Sequence, residues 1–386
     1  PRRIPGKYPA GGLFRLGLIR TLLLQQGFCP VRHRVITASP ARLALVKGVG
    51  DAVITELKII EAAAQRITEL TQTERGNECI MQLVADLTGD GVVGDNRLED
   101  NEEAMFNAAI SLRIDQLRHG VRSKGAMAEQ STIIRFRSQA KEKLGFWFGD
   151  KVDELLFLTA SGRAYTLKLD GSTRGTSQLP SLSFASDVAA ASTNRINYAG
   201  SATSEATLTA SDTMTWSIIV NARAKAQRKR MKPIRSGGRE YYAMVMSTEQ
   251  GRDLRKSSDY MTNVSRAAER GNNNPLFRGA FAVVDGVILY EHNKVFNTLG
   301  LGSSAKWGSG GTVDGAQALL LGAQALGFAQ LYDTKYTESD NTDYGNRPGI
   351  AVGRMLGVLK PQWPSPVDAN ATEDFGILSV KTAAAA

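Results

Sequence analysis

Cysteine is nearly missing from this chain. Two among 386 residues, Cys29 and Cys79, exclude a disulfide scaffold and fit a reducing compartment. Histidine is almost as scarce. His33, His119 and His292 lie far apart, and none stands in an H-E-x-x-H or His-x-His setting, so no zinc centre is expected. No apolar run reaches the roughly eighteen residues that span a bilayer. "ALLLGAQALGFAQL" (318–331) comes nearest, and no membrane partner is expected. Catalytic signatures are missing too. There is no G-x-S-x-G elbow, and "GSGGTVDG" (308–315) lacks the Lys-Ser/Thr ending of a phosphate-binding loop. An enzyme is not expected, nor any cofactor or metal.

Acid is missing where base is plentiful. Residues 1–50 carry Arg2, Arg3, Lys7, Arg15, Arg20, Arg32, Arg34, Arg42 and Lys47 and not one carboxylate. Taking these nine from the 47 basic residues leaves 38 against 38 acidic ones, so the remainder is neutral and the net charge of +9 belongs to the start. Three readings stay open for it: a basic arm lying on nucleic acid, where each phosphate contact releases counterions, an organelle-targeting segment, or a poorly specified tail. Pro1 fits removal of an initiator Met. A second cationic stretch, "NARAKAQRKRMKPIRSGGR" (221–239), resembles a nucleic-acid patch but reads first as a solvated helix face, and it lacks interleaved aromatics.

What is present is ordinary for a globular chain, with 42% apolar residues, and the length predicts two or three substructures. "ECIMQLVADL" (78–87) alternates, with Met81, Leu83, Ala85 and Leu87 on one side. "ISLRID" (110–115) alternates again through Ile110, Leu112 and Ile114. Two such runs about a polar, glycine-bearing tip predict a long antiparallel hairpin. A helix follows over 131–161, its stripe running Ile133, Phe136, Ala140, Leu144, Trp147, Leu155 and Leu158 and interrupted at Lys151. Ser131 is its expected N-cap and Gly162 its left-handed stop, giving a rod of about 45 Å with weak points at Gly145 and Gly149.

Residues 163–211 read as loops with short strands, and 213–229 as a helix. Residues 241–246 form a strand, and the capping box Ser247–Gln250 opens a helix reaching toward Gly271. Asp285-Gly286 marks a hairpin turn. A helix is expected over "AQALLLGAQALGFAQ" (316–330). Strands are expected over 349–361 and 375–383, on either side of a Pro-rich link, and no internal repeat is visible.

The hairpin tip, "DLTGDGVVGDNRLEDNEE" (86–103), raises the question of calcium. Counting from Asp86, Asp86, Thr88, Asp90 and Gly91 suit an EF-hand loop, but its twelfth position, where a bidentate glutamate belongs, is Arg97. The tip reads instead as a solvated projection carrying Asp86, Asp90, Asp95, Glu99, Asp100, Glu102 and Glu103.

The stretch 84–130, "VADLTGDGVVGDNRLEDNEEAMFNAAISLRIDQLRHGVRSKGAMAEQ", resembles a block of major capsid proteins of tailed, mainly short-tailed, bacteriophages. The resemblance continues in "NNPLFRGAFAVVDGVILYEHNKVF" (273–296), "ALLLGAQALGFA" (318–329), "DYGNRPGIAVGRMLGVLKP" (343–361) and "DFGILSVKTA" (374–383). It spans roughly residues 50–385 and leaves the basic start unmatched.

The resemblance implies an α+β fold of the Hong Kong 97 type. The expected organisation is a basic N-terminal arm (1–50), a connection (51–77), an E-loop hairpin (78–125) and a peripheral domain with a spine helix (126–162). An axial domain (163–335) and peripheral return strands (336–386) complete it. It also implies a virion shell protein, assembled in the host cytoplasm as hexamers and pentamers of itself. Packaged double-stranded DNA, a portal, and scaffolding or decoration proteins are the implied partners. In that setting the tip carboxylates are expected to meet a neighbour's spine-helix cations, with Arg135, Arg137, Lys141 and Lys143 as candidates. Arg2, Arg3, Lys7, Arg15, Arg20, Arg32 and Arg34 are the candidate DNA-facing or arm contacts. The alternative is a sequence-independent nucleic-acid-binding protein that uses the basic arm.

Overall fold

In the computed structural model, the described residues are 64–384 without 68–75, 85–86, 88, 104–106, 132–135, 237, 268–281, 332–333, 340–341, 366 and 369–370. The N-terminal cations, Asp86 and Arg135 therefore lie outside the described residues. Asp51–Ala386 form one unit.

Along the chain come β1 (Ala64–Ile67), β2 (Glu78–Val84), β3 (Asn107–Arg113), β4 (Asp115–Arg122), α1 (Ala126–Gln130) and α2 (Phe136–Ser161). Then follow β5 (Ile196–Tyr198), α3 (Trp216–Arg228), β6 (Ile234–Ser236), β7 (Arg239–Met246), α4 (Thr248–Lys256) and α5 (Ser258–Ala267). β8 (Ala282–Val284), β9 (Val287–Glu291), β10 (Gly315–Leu321), β11 (Leu326–Gln330) and β12 (Lys335–Ser339) come next. β13 (Gly349–Leu359), β14 (Gln362–Pro364), β15 (Thr372–Asp374) and β16 (Ile377–Ala383) close the chain. One sheet runs β1-β11-β13-β12, with β4 also paired to β13. A second runs β5-β16-β10-β7-β9-β8, with β6 on β7, while β2-β3 and β14-β15 are separate ribbons.

The 26-residue helix α2 spans about 39 Å at 1.5 Å per residue. Ala140, Leu144, Phe148, Leu155 and Leu158 are buried with Leu117 of β4 and Ile350, Val352, Leu356 and Val358 of β13. Its C-terminal turns also send Phe157 and Ala160 into a second core with Val245, Leu319 and Leu321 of the other sheet. Each fully buried leucine contributes about 2 kcal/mol of hydrophobic stabilisation. The C-terminus closes as expected at Gly162 (φ 65°), where Gly162 N–H donates to the Thr159 carbonyl and Arg163 N–H to that of Leu158. Ser131, the expected N-cap, ends the short α1 in a right-handed conformation, its N–H donating to the Met127 carbonyl, and residues 132–135 leading to α2 lie outside the described residues.

Lys151, the interruption in the apolar stripe, is absorbed by charge. Its ammonium lies 2.6 Å from Glu154, which also binds Arg174 at 2.5 Å. Arg174 in turn donates to the Tyr165 carbonyl, and the Tyr165 hydroxyl bonds Thr159 at 2.6 Å. Burial pushes the Tyr165 phenol well above its ordinary value, so it stays neutral.

Three further expectations change. Residues 316–330 form β10 and β11 rather than a helix. β10 is buried at every position, with Ala318 and Leu320 facing one core and Leu319 and Leu321 the other. A run buried on both faces shows no periodicity, so its sequence does not separate strand from helix. The capping box at Ser247 is present, with Ser247 Oγ accepting from Gln250 N–H, but its helix breaks at extended Ser257 before α5 begins. The return strands also divide. β12 and β13 join β4 beneath α2, as does β11 from within 163–335, whereas β16 lies between β5 and β10 in the second sheet.

Where β16 crosses that sheet, Lys381 and Arg163 both bind Glu205, at 2.7 and 2.5 Å. Burial alone would raise the Glu205 carboxyl, but the two cations outweigh it and hold it below the ordinary glutamate value. A depressed carboxyl contributes stability that is complete above the ordinary value of 4.5 and is lost as pH falls through the folded one. Glu205→Gln is therefore expected to lower the melting temperature at neutral pH. The gap from the parent should begin to narrow below the ordinary value of 4.5 and close as pH falls through the lower, folded one, which thermal unfolding across a pH series reads directly.

Candidate assembly interface

The hairpin is built as its alternation predicts. β2 and β3 pair antiparallel from Glu78↔Arg113 to Val84↔Asn107, with Met81 opposite Ile110. Met81, Leu112 and Ile114 are buried with Ala329 of β11 and Leu359 of β13, while Ile80 on the other face is 66% exposed. Two glycines admit this root onto the sheet. A Cβ on Gly357 would stand 2.2 Å from the Arg113 carbonyl oxygen, and one on Gly327 would stand 2.9 Å from Met81 Sδ.

Polar clamps hold the same root. Arg113 reaches Glu78 at 3.4 Å and Asp187 at 3.3 Å, and Asp115 accepts from Ser183 N–H at 2.7 Å.

Beyond the root, the tip folds on itself. Gly89 N–H donates to Glu103 at 2.6 Å, Asp100 N–H to Glu102 at 2.9 Å and Arg97 Nε to Glu99 at 2.9 Å. Asn96 donates to the Val93 carbonyl and Asn101 to that of Arg97. Gly91 and Gly94 take left-handed φ values, and so does Asp100. Asp90, Asp95, Glu99, Asp100, Glu102 and Glu103 are all exposed. Leu87, Val93 and Leu98 are exposed beside them, at 67%, 78% and 60%. Arg97, which displaces the twelfth ligand of a calcium loop, is bound to Glu99.

The helix cations are less free than the sequence implies. Arg137 lies 3.3 Å from Glu338 on β12, and the Lys141 ammonium sits 5.3 Å over the Tyr336 ring of the same strand. Lys143 is exposed and edges a groove with Val121, Lys124 and Phe136.

Several cations of the second stretch are paired within the chain. Arg223 pairs with Asp285, Lys229 approaches Glu373 at 3.6 Å and Arg235 approaches Glu240 at 3.2 Å. Lys225 donates to the Ile196 carbonyl, and burial lowers its ammonium pKa, with Arg228 and Lys229 adding to the shift.

Sequence reasoning missed two features. One is an ionic clamp under β15. Glu373 binds Arg195 at 3.0 Å and accepts from Asn194 at 2.7 Å, while Asp374 binds Lys360 at 3.1 Å, and all four charged side chains are at most 3% exposed. Burial lowers both cations' pKa values, and the neighbouring carboxylates oppose it. The other is the set Gln116, Arg118, Gly120 and Arg122, the alternate residues of β4 that turn away from α2. Period-two spacing in "DQLRHGVR" was the available signal.

The comparisons fit a projecting hairpin on a two-sheet body with a long helix. A family profile described as phage capsid protein matches residues 55–386. The chain is 40% identical over 330 residues to the major capsid protein of Pseudomonas phage KPP25, covering 83% of this chain and 87% of that one. The capsid of Ralstonia phage GP4 superposes with a TM-score of 0.70 at 28% identity, over 84% of this chain and 88% of that one. The Cyanophage Pam1 capsid subunit shares the fold, with a TM-score of 0.64 at 18% identity over 83% and 88%. This chain belongs to the phage capsid protein family. Its α+β architecture is consistent with the Hong Kong 97 type, and the alternative of a nucleic-acid-binding protein is not supported.

Proposed function

We propose that this chain is the major capsid subunit of a phage virion and closes into an icosahedral shell as hexamers and pentamers of itself. The observation that carries the reading is the family match along 55–386, together with 40% identity to a phage major capsid protein. In this reading β2–β3 and the tip are the E-loop and α2 is the spine helix. The shell assembles in the host cytoplasm and encloses double-stranded DNA, and a portal and scaffolding or decoration proteins complete it. Cations of residues 1–50 serve as countercharge to DNA or pair with a neighbouring subunit's acids.

The hairpin gives the mechanism of association. A rigidly clamped root with an exposed acidic and apolar tip is arranged to lie on another copy. There the charged pairs set register and orientation more than affinity. The test is a combined variant, Asp90→Asn, Asp95→Asn, Glu99→Gln and Asp100→Asn. Shell yield in sedimentation and electron microscopy should fall sharply while the circular dichroism and melting temperature of the subunit stay unchanged. Normal shells from this variant would contradict the role given to the tip.

A further inference from the structure

We infer that the seat for a neighbour's acidic tip is the sheet face opposite α2, an inference that rests on the tip–neighbour reading above. The sheet register defines this face. Arg118 of β4, Gly353 of β13 and Lys335 of β12 lie in one cross-strand row. The next rows are Gly120, Ala351 and Thr337, then Arg122, Gly349 and Ser339. Arg118 lies against the central strand, where a Cβ on Gly353 would stand 2.9 Å from its Cγ. The acids and rings of β12, Glu338 and Tyr336, fall on alternate positions and face α2, where they engage Arg137 and Lys141. These three rows thus carry three cations and no carboxylate.

Shape agrees with charge. Small residues along β13 leave a trough of about 320 Å³ between Arg118 and Lys335. Two strand spacings make it roughly 10 Å across, the width of one extended segment. Among the described residues neither Arg118 nor Arg122 has a carboxylate partner, and both are exposed. The same face also shows how a hairpin is received. Its other end is covered by this chain's own hairpin root, packed on Leu359 and Ala329, and Met355 borders both the root and the trough. A neighbour's tip would continue that layer, its carboxylates against Arg118 and Arg122 on the β4 edge and Val93 or Leu98 over the small residues. The α2 cations are the weaker seat because Arg137 and Lys141 are engaged by their own chain.

Charge exchange in the full-length protein tests this. Arg118→Glu with Arg122→Glu, and separately Asp95→Lys with Glu99→Lys and Asp100→Lys, should each lower shell yield by about tenfold or more. The two sets combined in one chain should restore it. Arg118→Lys alone should assemble normally, which separates loss of charge from loss of fold. If the sheet-face reversal forms normal shells while the tip reversal does not, the tip docks elsewhere and this inference is overturned alone. If the tip reversal itself assembles normally, the tip reading fails and takes the inference with it. Normal shells that retain less DNA after the sheet-face reversal would assign the face to nucleic acid and overturn the docking assignment.

Discussion

Glu373→Ala is expected to lower the unfolding free energy of the subunit by about 3–5 kcal/mol, the usual cost of stranding one partner of a buried ion pair. Arg195 and Glu373 are 3% and 2% exposed and 3.0 Å apart, so water cannot replace the lost carboxylate. Arg195 would keep only its bond to the Lys229 carbonyl, and Nη1 already lacks a hydrogen-bond partner within the protein. Asn194 and Lys229 would lose the same acceptor. Urea unfolding of the unassembled subunit measures the loss. The double variant Glu373→Met with Arg195→Met should be markedly more stable than Glu373→Ala, because the cost lies in the unpaired charge more than in the missing attraction. Equal stability of the parent and Glu373→Ala would refute the clamp.

Gly357→Ala is expected to free the hairpin root while leaving most of the body folded. The added Cβ meets a backbone oxygen, the Arg113 carbonyl at 2.2 Å, so no side-chain rotation relieves it. Overpacking of this kind costs about 1–3 kcal/mol. The strain falls where β3 lies on β13, beside Leu112 and Leu359. The expected readout is faster amide exchange over 78–84 and 107–113, with exchange in β10 and β16 little changed. Shell assembly should fail in the same variant. Uniform exchange throughout would contradict a hairpin held by this contact.

These two positions also mark where sequence reasoning stops. Asp285-Gly286 was legible because φ of 47° and 76° is what a tight hairpin turn demands and what Asp-Gly supplies. Gly162 and the Ser247–Gln250 box were legible for the same reason, since each is settled within a few residues. The hairpin was legible because its paired stretch keeps a period of two, with Met81 and Leu112 turned inward and Ile80 outward. Glu373 was not, since it stands in a Pro-rich link and its partner Arg195 is 178 residues away. The cationic sheet face was hidden likewise. Arg118 and Lys335 lie on strands that meet only through β13, so their grouping appears once the sheet order is known. β10 was misread because burial on both faces erases the period that names a strand.

The central claim is that the chain builds a closed shell from copies of itself. Negative-stain electron microscopy of the purified full-length protein, with sedimentation velocity on the same sample, tests it most directly. Closed shells, tubes or rings of five-fold and six-fold symmetry are the predicted result. A chain that sediments as a monomer at every concentration and binds DNA with a steep dependence on salt would contradict it.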